Sequence, residues 1–202
     1  MQMISFVGKP CTGKTTTFQA TKEFLKNEKN IQFYDEPARK IMNEKFPNTK
    51  IEDLSPYDNS ELQIMIFEYW TRLLDQIETK NKIVVTDSSP MENVYVYARG
   101  VVPDHIQKSM TNILCSKMKH IIHNIILFNH SLPLHHDGLR HENEQEINRI
   151  GSAIEDEIFK QNLQFYEMDI YNKNPVKNIN KRTEKSVQLI LATQNLLFKT
   201  EK

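Results

Sequence analysis

The chain has 202 residues, of which 39% are hydrophobic and 26% are charged, so it can bury a sizeable core and is unlike a disordered chain. Lys and Arg (26) balance Asp and Glu (26), which excludes an overall basic field that would attract nucleic acid or an anionic membrane. This length, without a Gly/Ser/Pro-rich linker, predicts a single domain over residues 1–202.

Hydropathy and cysteine content predict a cytoplasmic protein without a membrane span. The apolar runs are short, such as 125–128, whereas a spanning helix needs about 18 or more apolar residues. The residues before Gly8 do not resemble a secretory leader. Cys11 and Cys115 are too few for a disulfide framework or a four-cysteine zinc site, so a reducing compartment is expected.

Predicted strands and helices alternate along the chain. Residues 2–7 form an apolar run that ends at Gly8 and predicts a buried strand, and a helical pattern over 14–27 follows. Further strands are predicted at 31–34, 83–86, 121–128 and 163–170, with helices that begin at Pro37, Ser60 and Pro103 and two more around 147–158 and 187–198. This alternation predicts an α/β fold with a parallel sheet between two layers of helices.

Residues 8–15, with the sequence GKPCTGKT, match the phosphate-binding loop pattern of two separated glycines followed by Lys and Ser or Thr. The loop lies between a predicted strand and a predicted helix, so its N–H groups and the helix N-terminus can converge on phosphates. Lys14 would reach the β and γ phosphates, and the Thr15 hydroxyl would bind Mg²⁺. We therefore predict binding of a nucleoside triphosphate, with contacts from Gly8, Lys9, Pro10, Cys11, Thr12, Gly13, Lys14, Thr15 and Thr16.

An acidic residue, Asp87, ends the third predicted strand. Magnesium bound to a triphosphate is usually held by one or two carboxylates as well as by phosphates and water. Asp87 is therefore predicted to bind the metal together with Thr15. The alternative is that Asp87 caps a helix, because Ser88, Ser89 and Pro90 are typical of a helix start, and the two roles are compatible.

Asp35 and Glu36 follow the second predicted strand, at the carboxyl edge where open α/β sheets bind their ligands. An acid at this place can take the proton from an attacking hydroxyl or bind a sugar hydroxyl. A solvated acidic turn before a helix is the alternative. The sequence at 35–36 alone favours neither role over the other and neither Asp35 over Glu36 nor the reverse.

The segment 131–141, SLPLHHDGLRH, follows the fourth predicted strand and is expected to be part of a lid over residues 131–142. Arg140 could bring a guanidinium to the phosphates and neutralise charge in the transition state. His135 and His136 are not expected to bind a metal, because adjacent residues point apart in an extended chain. Arg99 could contact a substrate phosphate or form a surface ion pair.

Together these motifs resemble the NadR-type P-loop family, which includes the ribosylnicotinamide kinase half of NadR and related AAA-like ATP-binding proteins. The resemblance covers residues 1–170 and rests on the loop, on 36–39 (EPAR), on Asp87 and on 137–140 (DGLR). It implies a nucleoside-kinase-like fold with strand order 2-3-1-4-5 and ATP with Mg²⁺ as the phosphoryl donor. It also favours Glu36 over Asp35, with Arg39 as a further substrate-binding residue.

The resemblance has two limits. It concerns the kinase half of NadR alone, and Pro37 stands where the family motif Glu-Tyr-Ala-Arg has tyrosine. An acid followed by proline is also similar to deoxynucleoside kinases, but their Asp-Arg-Ser motif appears here as Asp87-Ser88-Ser89.

The sequence predicts an ATP-dependent phosphotransferase that acts on a hydroxyl of a nucleoside-like small molecule, with nicotinamide riboside as the first candidate. Its catalytic residues would be Lys14, Glu36, Asp87 and Arg140. One alternative is a nucleotide-dependent switch that binds a protein partner, and another is a kinase that acts on a polynucleotide hydroxyl. The sequence does not predict an oligomeric state.

Overall fold

The computed structural model describes residues 2–78, 83–128, 144–170 and 174–199. Within these ranges the strands are β1 (Gln2–Gly8), β2 (Ile31–Tyr34), β3 (Ile83–Asp87), β4 (Ile122–Phe128) and β5 (Gln164–Glu167). The α-helices are α1 (Lys14–Phe24), α2 (Pro37–Lys45), α3 (Pro56–Glu78), α4 (Asp104–Met118), α5 (Glu144–Lys160) and α6 (Pro175–Lys199). A short 3-10 helix covers Ile51–Asp53 and a π-helix covers Glu92–Tyr97.

The five strands form one sheet in the order β2-β3-β1-β4-β5, and all paired strands are parallel. The predicted fold class and strand order are therefore confirmed. The central strand β1 pairs Phe6 with Asp87 on one side and Gly8 with Phe128 on the other. Because the strands end at the same edge, the loop after β1 lies between the chain segments that follow β3 and β4.

Several element boundaries differ from those predicted. Helix α3 begins at Pro56 rather than Ser60, since the Ser55 hydroxyl accepts a hydrogen bond from the Asp58 N–H (3.1 Å) and caps the earlier turn. Strand β5 has four residues and all four are exposed, in contrast to the longer buried strand predicted at 163–170. Strand β5 lies at the edge of the sheet, where strands in native proteins are often very short. The π-helix was not predicted.

Helices cover both faces of the sheet. On one face, Trp70 and Leu74 of α3 and Leu114 of α4 pack in a cluster that includes Met3 and Val84. On the other face, a second cluster contains Phe18 of α1 and Ile190 of α6 together with Phe6 and Phe128. The Phe6 ring lies 5.6 Å from that of Phe18 and 5.5 Å from that of Phe128. These aromatic contacts hold the carboxyl ends of β1 and β4 beside the start of α1.

Helix α5 completes the cover over β1 and β4, where Ile150, Ile154 and Ile158 pack against Val7, Ile125 and Leu127. None of the helices in the described ranges combines the length and apolar character that crossing a bilayer requires.

A row of polar side chains crosses the middle of the sheet. The Ser5 hydroxyl of β1 hydrogen-bonds the Thr86 hydroxyl of β3 (2.8 Å) and His123 Nε2 of β4 (2.8 Å). The Thr86 hydroxyl also donates to the Ser88 carbonyl (2.7 Å), directly after β3. Burial lowers the pKa of His123 to about 4, so its imidazole is neutral at pH 7. This row joins the middle of β1 to the end of β3 and to the second residue of β4.

Candidate active site

The phosphate loop passes very close to the end of β4. Gly8 has φ 141°, and a Cβ on this residue would lie 2.2 Å from the carbonyl oxygen of Phe128. Gly13 has φ 78°, in the left-handed region that favours glycine, and it directly precedes α1. The backbone therefore requires glycine at Gly8 and favours it at Gly13.

Lys14 folds back over the loop that precedes it. Its Nζ donates hydrogen bonds to the carbonyl oxygens of Gly8 (2.6 Å) and Lys9 (3.0 Å). The Thr12 hydroxyl donates to the same Lys9 carbonyl (3.0 Å). The first N–H groups of a helix have no partner within that helix, so the start of α1 offers donors to an anion beside the Lys14 ammonium. Among the other loop residues, Pro10 is buried, Cys11 and Thr15 are half-buried, and Thr16 is exposed.

Asp87 lies at the end of β3 beside the loop and is 2% exposed. Its carboxylate accepts a hydrogen bond from the Thr15 hydroxyl. Burial, and then the negative charge of Glu36, raise the pKa of Asp87 to about 6, while Thr15, Lys14 and Arg39 act in the opposite direction. The sequence therefore predicted correctly that Asp87 and Thr15 would be neighbours, and their roles stay predictions.

Glu36 and Asp35 occupy different surroundings although they are adjacent. Asp35 forms an ion pair with Lys22 of α1 (2.8 Å) and accepts a hydrogen bond from Gln19 (2.7 Å). Glu36 instead accepts a hydrogen bond from Arg39 Nε (3.3 Å), and its charge acts on Asp87. The structure thus brings Glu36 and Arg39 to the loop and Asp87, and it directs Asp35 to the flank of α1.

Sequence reasoning missed Glu92, which is 4% exposed and lies against the phosphate loop. One carboxylate oxygen accepts a hydrogen bond from the Gly8 N–H (3.4 Å) and the other from the Ser89 N–H (2.9 Å). Burial raises the pKa of Glu92 to about 7, against the opposing charge of Lys14. The charges of Lys14 and Glu36 therefore act on both Asp87 and Glu92.

The spacing of Ser89 and Glu92 is the signal that could have identified this residue. The Ser89 hydroxyl accepts a hydrogen bond from the Met91 N–H (3.1 Å), while Glu92 reaches back to the Ser89 N–H. This is the reciprocal arrangement of a capping box, with Pro90 in the first helical turn. The helix cap after β3 is thus Ser89 rather than Asp87. The contact of Glu92 with Gly8 joins positions 84 residues apart and has no local signal.

Replacing Ser89 by alanine should lower the free energy of unfolding by about 1 kcal/mol, because the Met91 N–H loses its acceptor. Urea unfolding followed by circular dichroism measures this loss. Ser116→Ala is the matched control, since Ser116 is an exposed position within α4 and should change stability little. Equal midpoints for the two variants would show that Ser89 does not act as a cap.

One predicted site residue lies outside the described residues, and another, Arg99, is not brought to this cluster. Arg140 and the predicted lid at 131–142 lie outside the described residues, as do His135 and His136. Arg99 is exposed and follows the π-helix, and no hydrogen bond or ion pair joins it to the described residues named above. Its predicted contact with a substrate stays a prediction.

The oxygen atoms present fit a magnesium ion that is shared with a nucleotide. The Thr15 hydroxyl and the Asp87 carboxylate are hydrogen-bonded to each other, and both are the hard oxygen ligands that Mg²⁺ prefers. Within the described ranges, no group of three or more His, Cys, Asp or Glu side chains could hold a metal. This arrangement fits an ion held jointly by the protein and phosphates better than an ion in an all-protein site.

The parallel sheet, the loop between β1 and α1 and the acid after β3 define a P-loop NTPase-like fold. A sequence profile described as AAA domain matches residues 3–173. The chain therefore belongs to this family of AAA domains. No curated protein sequence matches the chain.

Two crystal structures of NadR protein have similar folds. One, in complex with NAD and AMP-PNP, shares 15% identity and gives a TM-score of 0.54 over 91% of this chain and 49% of its own. The other, in complex with NR, shares 17% identity and gives a TM-score of 0.55 over 91% of this chain and 52% of its own. The chain thus spans about half the length of these proteins. The predicted resemblance to the NadR-type P-loop family is confirmed at the level of the fold.

Proposed function

We propose that the protein is an ATP-dependent phosphotransferase that phosphorylates a hydroxyl group of a nucleoside-like small molecule. The observation that carries this proposal is the placement of Glu36 near Asp87 at the phosphate loop, while Asp35 is held away by Lys22. A site for nucleotide binding alone would not need a second carboxylate beside the metal-side acid. A role as the base that takes the proton of an acceptor hydroxyl would explain why Glu36 is there.

In this reaction the acceptor hydroxyl oxygen attacks the γ-phosphorus, and the bond between that phosphorus and the β–γ bridging oxygen breaks to release ADP. The hydroxyl proton passes to the Glu36 carboxylate. Lys14 leaves the carbonyl oxygens of Gly8 and Lys9 and neutralises charge on the β and γ phosphates. Arg39 holds the Glu36 carboxylate in place, 3.3 Å from its Nε.

A bound Mg²⁺ would neutralise charge on the phosphate oxygens and help to align them. Thr15 and Asp87 are the residues that would hold it. Ionised Asp87 would be the binding form, and the charges of Lys14 and Arg39 favour that form.

The acceptor is inferred from chemistry and from likeness. An acid close to Asp87 suits the hydroxyl of a ribose, and one NadR protein of similar fold was crystallised with NR. Another was crystallised with AMP-PNP, which supports ATP as the donor. We therefore place nicotinamide riboside first among the acceptors to test.

The test is to incubate the purified protein with γ-labelled ATP, Mg²⁺ and a panel of nucleosides that includes nicotinamide riboside, and to measure labelled product. Glu36→Gln should lower kcat by about 100-fold or more, because general base catalysis contributes about 10²- to 10⁴-fold. Its affinity for ATP should stay near that of the wild type. Asp35→Asn is the matched control and should keep kcat, since Asp35 is directed to α1.

The possible outcomes separate the alternatives. Tight binding of ATP without transfer to any nucleoside would overturn the proposal. Slow hydrolysis with a protein captured only in the presence of nucleotide would then favour a switch, and salt-dependent transfer to an oligonucleotide end would favour a polynucleotide kinase.

A further inference from the structure

A buried arginine lies directly behind the phosphate loop. Arg182 of α6 is 0% exposed. Its Nη1 donates a hydrogen bond to the carbonyl oxygen of Thr12 in the loop, and its Nε donates to the carbonyl of Ile170 (2.9 Å). Its guanidinium carbon lies 5.6 Å from the centre of the Phe128 ring. Arg182 thus ties the loop to the segment after β5 and to the end of β4.

No negative charge compensates this guanidinium among the described residues. Its two hydrogen bonds go to neutral carbonyl groups, and its Nη2 is buried without a partner. Desolvation by burial lowers the pKa of Arg182, and no nearby carboxylate acts against that effect. A buried charge is normally paired, because removing it from water is costly unless a counter-charge is supplied.

A second unsatisfied group lies one helical turn earlier on the same face of α6. Asn178 is 0% exposed, and neither its side-chain oxygen nor its nitrogen has a hydrogen-bond partner in the part of the chain that the structure describes. Residues four apart on a helix are neighbours, so Asn178 and Arg182 form one buried polar patch. Among the described residues, nothing pairs with the unsatisfied polar atoms of this patch.

The contact with Thr12 connects Arg182 to the atoms that would bind phosphate. The Thr12 carbonyl and the Gly13 N–H belong to the same peptide group, and Gly13 directly precedes α1. A charged donor on that carbonyl polarises the peptide group and makes the N–H a stronger donor. The positive charge of Arg182 can therefore act on an anion in the loop without a direct contact.

We propose that Arg182 is a positioning residue of the phosphate loop whose charge is compensated by the polyphosphate of the bound nucleotide, through the Thr12–Gly13 peptide group. This inference rests on the nucleotide binding in the proposed function. It assigns to α6 a part in binding that the motif at 8–15 does not contain. In the free protein the buried charge of Arg182 then lowers stability, and nucleotide binding removes this unfavourable contribution.

The first experiment measures affinity for Mg-ATP and for inorganic tripolyphosphate by calorimetry in Arg182→Met and Arg182→Lys. We expect Arg182→Met to bind both ligands at least about tenfold more weakly, the effect of losing one charge-assisted hydrogen bond. Arg182→Lys should be intermediate, because it keeps the charge but loses the planar donor pair. Arg72→Met is the matched control, since the side chain of Arg72 is 77% exposed on α3, and should bind as the wild type does.

The second experiment uses Asn178→Asp, which supplies a carboxylate next to Arg182 and remains informative where Arg182→Met does not fold. We expect a higher melting temperature for the free protein and several-fold weaker binding of tripolyphosphate, because the guanidinium has then found a partner. A purely structural arginine would give the first effect without the second. Wild-type affinity in Arg182→Met, or in Asn178→Asp together with raised stability, would overturn the inference. Absence of ATP binding to the wild type would instead refute the proposed function.

Discussion

Replacing Lys14 by methionine should weaken the binding of Mg-ATP by about 10- to 100-fold, since a hydrogen bond to a charged group contributes about 1.5–3 kcal/mol and each 1.4 kcal/mol is a factor of about ten in affinity. In the free protein the Lys14 ammonium lies over the loop on the carbonyl oxygens of Gly8 and Lys9, and it would exchange these contacts for the phosphates. It is also a positive charge that acts on both Asp87 and Glu92. Without it the acidic cluster would repel a polyanion.

Calorimetric titration with a non-hydrolysable ATP analogue measures this effect without interference from turnover. Lys26→Met is the matched control, because Lys26 follows the end of the same helix and pairs with Glu23 on its exposed surface. It should bind the analogue as the wild type does. Affinity in Lys14→Met within a few-fold of the wild type would contradict the assignment of the loop as the triphosphate site.

The free energy of unfolding should fall as pH rises from about 4.5 to 7, and Glu92 should account for much of the fall. Its pKa is raised from 4.5 to about 7 in the folded protein, so within this interval the folded state binds more protons than the unfolded state. Stability is therefore greatest below the interval and is lost as Glu92 ionises. A shift of this size corresponds to at most about 3 kcal/mol.

Urea unfolding between pH 4.5 and pH 8, without nucleotide or metal, tests this expectation. In Glu92→Gln the dependence on pH should be much flatter, although Asp87, with a pKa raised to about 6, contributes a remaining slope of the same sign. Glu44→Gln, at an exposed position of α2, should keep the wild-type slope. An unchanged slope in Glu92→Gln would show that Glu92 is not buried as an acid in the folded protein.

The loop, the sheet and the position of Asp87 could be anticipated because the information for them is local. A strand, two glycines at fixed spacing and a helix start specify the phosphate loop within one short segment, and the strand order follows from the resemblance that this segment supports. Asp87 was predicted because it ends an apolar run, and the parallel pairing of β1 with β3 then places it near Thr15.

Glu92 and Arg182 could not be anticipated because their roles depend on contacts between distant parts of the chain. Arg182 reaches Thr12 across 170 positions, and a charged residue within a helix is usually read as solvent-exposed. The choice of Glu36 over Asp35 came from family resemblance and stays a prediction, and the structure shows that Asp35 pairs with Lys22 of α1. The pattern of residues around 35–36 contains no sign of that ion pair.

The hydrogen-bonded row of Ser5, Thr86 and His123 has a consequence for how ligands would be received. The hydrogen bonds from Ser5 join β1 to β3 and to β4 and oppose sliding of these strands, and Thr86 directly precedes Asp87. Strands that are already fixed relative to each other lose little conformational entropy when a ligand binds at their ends. Polar groups buried inside a sheet add little to a hydrophobic core. By fixing the strands they can still increase the affinity for a ligand that they do not contact.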